Sequence, residues 1–146
     1  MSIQSNDIRD RLKQIFIHKY GSSPLLVRSP GRINIIGEHT DYNEGFVLPA
    51  AIDKSIYVAI AKRNDNRIEL YSVDYNDSFE TSIDEIKPTK NWATYILGIA
   101  GELQAAGYTI GGFNLIIDGN IPIGAGLSSS AAIESAVVFA LNELLL

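Results

Sequence analysis

The sequence predicts an α+β sandwich, and three observations support this. Apolar residues recur at helical spacing in some segments and alternate with polar residues or run continuously in others. Helices and strands follow one another irregularly rather than as strand–helix–strand repeats, which argues against a regular α/β wind. There is no internal repeat, low-complexity tract or linker. We therefore predict one domain over residues 1–146.

The first half of the chain predicts one helix followed by strands. Asn6 or Asp7 can cap a helix that runs to about Tyr20. A strand begins at 25–27, is interrupted by Pro30-Gly31, and resumes at 33–36. Four further strands are predicted, at 46–51, 55–61, 68–73 and 78–83. Acidic residues in this region predict a solvated face; they are Asp74, Asp77, Glu80, Asp84 and Glu85.

The second half predicts two helices around one strand. A helix starts at Asn91 and runs to about residue 106, and Gly107 follows where a left-handed cap is expected. A strand at 113–117 precedes a last helix over 131–146. That helix reaches the final residue without a glycine, a proline or a basic last turn. We therefore expect more protein, a C-terminal domain, to follow.

Composition excludes several classes of partner. The formal net charge is −5 and basic residues do not cluster, so a nucleic acid is not expected. No segment approaches the ~20 consecutive apolar residues of a membrane span. The N-terminus lacks the basic start and apolar run of a signal peptide. We expect no membrane partner and a cytoplasmic location.

A glycine- and serine-rich segment lies between the last strand and the last helix, over residues 124–132, Gly-Ala-Gly-Leu-Ser-Ser-Ser-Ala-Ala. Glycines allow backbone N–H groups to approach a ligand closely. The first N–H groups of a helix lack internal partners, and the helix dipole adds positive potential there. A phosphate suits such a position, so the segment predicts binding of a nucleotide phosphate.

A second polar segment precedes it by about ninety residues, at 31–42, Gly-Arg-Ile-Asn-Ile-Ile-Gly-Glu-His-Thr-Asp-Tyr. Carboxylates and an imidazole on one loop can hydrogen-bond several neighbouring hydroxyl groups, which is what recognition of a sugar requires.

Both segments resemble known signatures. Residues 31–42 resemble the galactokinase signature, and residues 121–132 resemble the phosphate-binding motif of the wider GHMP kinase superfamily. The resemblance extends from about Tyr20 onward. It implies a two-layer sandwich of mixed sheet and helices, like a GHMP kinase N-terminal domain. It also implies transfer of the ATP γ-phosphate to the C1 hydroxyl of α-D-galactose with Mg²⁺, in galactose metabolism.

The resemblance also implies residue roles. Arg32 would act at the reacting hydroxyl as a catalytic residue, and Ser130 would be a magnesium ligand. Trp92 resembles an aromatic residue near the adenine, although a core position is as plausible from the sequence. The galactose contacts would be Glu38, His39, Thr40 and Asp41. The ATP phosphates would be held by Gly124, Ala125, Gly126, Leu127, Ser128, Ser129 and Ser130.

Other roles known in the family fall beyond residue 146. They include the catalytic aspartate and a magnesium-binding glutamate, and Asp118 is not a substitute for the first. We therefore expect the 146 residues by themselves to be inactive, with the missing domain as their intramolecular partner. Three alternatives stay open: a kinase of the superfamily for another sugar or small alcohol, a catalytically silent galactose and ATP sensor, and a fragment without its own function.

Overall fold

The computed structural model describes residues 3–36, 46–121 and 129–145. In chain order the elements are α1 Ile3–Tyr20, β1 Leu25–Ile36, β2 Leu48–Lys62, β3 Arg67–Ser72, β4 Asp77–Ser82, α2 Ala93–Ala105, β5 Phe113–Gly119 and α3 Ser129–Leu145. A single 3-10 turn at Ile83–Glu85 follows β4. The connections at 37–45 and 122–128 lie outside the described residues.

The strands form one mixed sheet in the order β1-β2-β5-β3-β4. β3 and β5 are parallel, and the other neighbouring pairs are antiparallel. β5 thus enters between two strands that precede it in sequence, and its end delivers the chain to the glycine- and serine-rich segment. The predicted α+β class and the mixed sheet are confirmed.

Helices cover both faces of the sheet because its central strands are apolar on both sides. On one face Val58, Ile60 and Leu115 pack in a core with α2 and α3. On the other face Tyr57 and Ile116 pack with Leu12 and Phe16 of α1. Side chains on a strand alternate between faces, so β2 and β5 serve both cores. α1 lies on the face opposite α2 and α3, so the described residues form three layers and the two-layer arrangement implied by the resemblance is wrong in this respect.

β1 is one continuous strand, whereas the sequence predicted a break at Pro30-Gly31. The prediction of two strands is wrong because β1 lies at the edge of the described sheet. An edge strand tolerates a proline when its nitrogen faces away from the neighbouring strand. The irregularity survives as a register shift between Pro30 and Arg32. β2 is likewise continuous over 48–62, where two strands were predicted.

The end of α2 confirms the predicted left-handed cap. Gly107 has φ +94, a conformation that costs glycine little because it lacks a Cβ. Its N–H donates to the carbonyl oxygen of Gln104 at 3.0 Å, and the Tyr108 N–H donates to that of Leu103 at 3.0 Å. These bonds satisfy carbonyl groups that the helix end leaves without partners.

Candidate functional site

The strands that lead to the two sequence motifs meet at the same end of the sheet. Pro30 of β1 pairs with Ser55 of β2, one residue before the 31–42 segment begins. The Ser55 N–H donates to Asn120 Oδ1 at 2.8 Å, and the Asn120 N–H donates to the Ser55 carbonyl oxygen at 3.1 Å. Asn120 directly follows β5, so the end of β5 lies beside the part of β2 that pairs with β1 just before the other motif.

Only part of each predicted site falls within the described residues. Arg32 lies on β1 and is half-buried. Ser129 and Ser130 form the first turn of α3 and are also half-buried. The remaining predicted site residues lie outside the described residues; they are Glu38, His39, Thr40, Asp41, Gly124, Ala125, Gly126, Leu127 and Ser128.

A cavity of about 860 Å³ opens beside the first turn of α3. Its volume is within the range of small-molecule sites in proteins. Ser129, Ser130 and Ile133 of α3 form one part of its lining. The chain before β4 and the chain around the start of α2 supply the rest, which consists of Tyr75, Asn76, Asp77, Thr89, Lys90, Asn91, Trp92, Thr94 and Tyr95.

Trp92 packs against the core and also lines this cavity. The side chain is half-buried and packs against the core shared by α2 and α3. Its indole N–H donates to Asp77 Oδ2 at 3.0 Å. The hydrogen bond joins the start of β4 to the start of α2 across the cavity lining.

The lining residues before α2 include several that the sequence analysis missed. Asp77 was assigned to a solvated acidic face, and it is exposed, but its carboxylate is bonded to Trp92. Tyr75 and Lys90 lie outside every motif identified in the sequence. The pattern around residues 68–83 predicted two strands, but periodicity contains no information on which side chains meet a helix more than ten residues later.

The Asp118 side chain is buried and fully engaged in contacts within the fold, on the face of the sheet that α1 covers. Its side chain is 1% exposed, and Oδ2 forms an ion pair with the Arg11 guanidinium at 2.5 Å. Oδ1 accepts the Gly119 N–H at 2.8 Å. Ile116, two residues earlier on the same strand, packs with α1, whereas Ser129 and Ser130 open a helix on the other face. This agrees with the expectation that Asp118 is not a substitute for the catalytic base.

The Asp74 carboxyl lies beside Asp118. Loss of solvation raises the pKa of Asp74, and the charge of Asp118 and a hydrogen bond to it act in the same direction. A carboxyl whose pKa is raised by folding stabilises the folded state below its ordinary pKa of 3.8, and this contribution is lost as the pH rises through the raised value. The charge of Asp118 therefore disfavours the ionised form of Asp74 in the folded protein.

We predict that Asp74→Asn stabilises the protein at neutral pH, because an amide can donate to Asp118 without carrying charge. The expected rise in melting temperature is about 1–2 °C, since Asp74 remains exposed. The gain should vanish near about pH 3, where Asp74 is protonated. Thermal melts at both pH values test this, with Asp10→Asn on the exposed side of α1 as the control. A gain that persists in acid contradicts the explanation.

No helix within the described residues is long and apolar enough to cross a bilayer. Across residues 3–36, 46–121 and 129–145, no three His, Cys, Asp or Glu side chains are grouped as they would be to hold a metal ion.

Two family models match the chain. Residues 94–146 match the GHMP kinases N terminal domain, and residues 14–62 match the galactokinase galactose-binding signature. The second match contains β1, the following connection and all of β2. The first contains β5, the glycine- and serine-rich segment and α3. The fold and the site therefore define a kinase domain of the GHMP class.

Two similar proteins are both galactokinases. A galactokinase of Roseiflexus sp. (strain RS-1) is 42% identical over 144 residues, which are 97% of this chain and 36% of the relative. A galactokinase of Thermococcus kodakarensis is 47% identical over 82% of this chain and 33% of the relative. The chain belongs to the galactokinase family and corresponds to its N-terminal portion, spanning about a third of the length of these relatives.

Solved structures show the same fold. The galactokinase of Lactococcus lactis, solved in complex with galactose, superimposes with a TM-score of 0.86 at 39% identity, over 94% of this chain and 37% of that one. The mevalonate kinase of Methanococcus jannaschii follows with a TM-score of 0.72 at 26% identity, over 84% of this chain and 40% of that one. The fold is therefore shared with a mevalonate kinase as well as with a galactokinase.

Proposed function

We propose that this chain is the galactose- and ATP-binding portion of a galactokinase, which phosphorylates α-D-galactose at the C1 hydroxyl to give galactose 1-phosphate and ADP. The observation that carries the proposal is that β1 and β5, the strands that precede the two undescribed connections, flank β2 and meet it at the same end of the sheet, where Pro30 pairs with Ser55 and Asn120 hydrogen-bonds to it. Phosphoryl transfer depends mainly on placing donor and acceptor together and neutralising charge. The strands that lead to these two segments, about ninety residues apart in sequence, lie on either side of β2 and reach the same end of the sheet.

The nucleotide half of the proposed site uses the first turn of α3. Backbone N–H groups at a helix start have no partner within the helix, and the dipole favours an anion there. Ser129 and Ser130 lie at this position and line the adjacent cavity. The triphosphate would lie against residues 124–130, and the base would extend toward Trp92 in the cavity.

The Ser130 hydroxyl could supply one of several oxygen ligands to Mg²⁺. Mg²⁺ prefers oxygen ligands and usually retains waters and phosphate oxygens in kinase sites. A half-buried hydroxyl at the start of α3 can supply one such oxygen. When bound, the ion would neutralise charge on the phosphates, and Ser130 would fix where it lies relative to the helix.

The sugar half of the proposed site uses the connection after β1. Glu38, His39, Thr40 and Asp41 would hydrogen-bond the galactose hydroxyls. Arg32, at the start of the same segment, would stabilise charge that develops on the transferring phosphoryl group. In the reaction the C1 oxygen bonds to the γ-phosphorus, the bond from that phosphorus to the β–γ bridging oxygen breaks, and the hydroxyl proton passes to a base.

That base would come from a C-terminal domain, which would also cover apolar side chains of this portion. Val138 and Phe139 of α3 are 41% and 56% exposed, and Ile35 on β1 is 61% exposed. Exposed apolar side chains in this number are typical of an interaction surface. Without the other domain we expect the 146 residues to be inactive, because a general base must lie within hydrogen-bond reach of the hydroxyl. A cytoplasmic location remains a prediction from the sequence.

We predict that the full-length protein phosphorylates galactose and that Ser130→Ala raises the magnesium concentration needed for half-maximal rate by about tenfold, because one oxygen ligand is lost. A coupled assay of ADP release with a magnesium titration measures this. Ser135→Ala, one and a half turns further along α3, is the matched control. An unchanged titration in Ser130→Ala removes Ser130 from the metal site, and binding of both ligands without turnover identifies a sensor instead.

A further inference from the structure

The indole of Trp92 is fixed by one directional contact. Its ring packs against the core of α2 and α3 and also lines the cavity beside α3. Packing alone restricts the orientation of a flat ring less than that of a branched side chain, since the ring can shift or tilt between the groups that it contacts. The hydrogen bond from the indole N–H to Asp77 Oδ2, at 3.0 Å, supplies the missing orientation.

The backbone on the Asp77 side of this bond is held by its own contacts. The Tyr71 hydroxyl donates to Asn76 Oδ1 at 2.8 Å, and the Tyr75 N–H donates to Ser72 Oγ at 3.3 Å. Asn76 has φ +47, a left-handed conformation that asparagine tolerates better than most residues. The turn before β4 is thus a fixed support, so Asp77 is presented to Trp92 from a defined position.

The backbone on the Trp92 side is held as well. Asn91 Oδ1 accepts the Ala93 N–H at 3.1 Å and the Thr89 hydroxyl at 2.8 Å. The Thr89 N–H donates to Thr94 Oγ1 at 3.3 Å. The backbone is therefore held at both Asp77 and Trp92. Through the hydrogen bond between them, the turn before β4 orients the Trp92 side chain at the start of α2.

We propose that Asp77 is a positioning residue: by accepting the Trp92 indole N–H, it holds the ring as the wall on which the base of the nucleotide stacks. This rests on the proposed function, in which ATP occupies the cavity. Base–aromatic stacking depends on the ring plane and contributes on the order of 1–3 kcal/mol per base. Asp77 then acts on the affinity for the base and leaves the triphosphate unaffected, because the phosphates lie against the start of α3.

The test compares ATP with inorganic tripolyphosphate by calorimetry on the full-length protein. Asp77→Ala should weaken ATP binding by about tenfold and raise the KM for ATP by a similar factor. Tripolyphosphate affinity, kcat and the KM for galactose should not change. Asp77→Asn should retain near-normal ATP affinity, because its amide oxygen can accept the same N–H. Glu80→Ala is the matched control, since that carboxylate is on the same strand and pairs with Arg67 at 2.7 Å.

A double-mutant cycle separates positioning from direct contact with the nucleotide. If Asp77 acts through Trp92, then Asp77→Ala has no further effect in a Trp92→Phe background, where no indole N–H exists. An additive loss of ATP affinity would show direct contact and overturn the proposal. Normal ATP binding by Asp77→Ala, or an equal loss for tripolyphosphate, would also overturn it. A wild-type protein that does not bind ATP sinks the proposed function and this inference together.

Discussion

Asp41→Ala is expected to lower the galactose affinity of the full-length protein by at least about a hundredfold while ATP affinity stays normal. A carboxylate that accepts hydrogen bonds from sugar hydroxyls contributes about 1.5–3 kcal/mol for each charged bond, and two such bonds account for the loss. The proposed sugar site follows β1, whereas the proposed phosphate site follows β5. Loss of galactose binding at the first site should therefore leave ATP binding at the second site intact.

Calorimetric titrations with galactose and with ATP measure the two affinities in the same preparation. Asp53→Ala is the matched control, because Asp53 is an exposed carboxylate on β2, which is paired with β1. Normal galactose binding by Asp41→Ala would remove Asp41 from the sugar site. Parallel loss of galactose and ATP binding would instead indicate damage to the fold at this end of the sheet.

The residues of the proposed site divide into those that local sequence reveals and those that only the fold brings together. Arg32 and Ser130 lie in segments whose composition predicts chemistry. The structure has Arg32 within β1 and Ser130 in the first turn of α3, whereas the sequence predicted both just before an element. Asp77 and Tyr75 have no such local signature. They join the cavity because β4 lies beside β3 and α2 packs over that face of the sheet, which is tertiary information.

The fold shows the same division. Continuous apolar runs predicted β5, which is buried on both faces, and the glycine after α2 predicted the helix end. Pro30 misled the prediction of β1, because the sequence does not reveal that the strand lies at an edge of the described sheet. The burial of Asp118 could not be predicted either, since its partner Arg11 is 107 residues away in the chain.

Among the glycines that the structure describes, Gly112 leaves the least room for an added Cβ. A Cβ at this residue would be 2.5 Å from the carbonyl oxygen of Arg67 and 2.9 Å from its nitrogen, and closer still to the carbonyl oxygen of Asp65. All three are backbone atoms, so a rotamer change cannot relieve the clash. The Gly112 N–H also donates to Asp65 at 3.2 Å, and the Arg63 N–H donates to the Gly112 carbonyl oxygen at 2.9 Å. The close approach therefore joins the start of β5 to the turn between β2 and β3.

We predict that Gly112→Ala destabilises the protein by about 2–3 kcal/mol and lowers its melting temperature by about 5–10 °C. Gly111→Ala is a stringent control, because a Cβ there meets no atom within 4 Å. That neighbour should be neutral or slightly stabilising, since alanine restricts the unfolded chain more than glycine does. Urea denaturation and thermal melts compare the two variants. Equal stability of both would mean that the turn at Asp65 can move away from β5. Because β5 leads to Asn120 and the proposed phosphate-binding segment, we also expect Gly112→Ala to weaken ATP binding at temperatures where it is still folded.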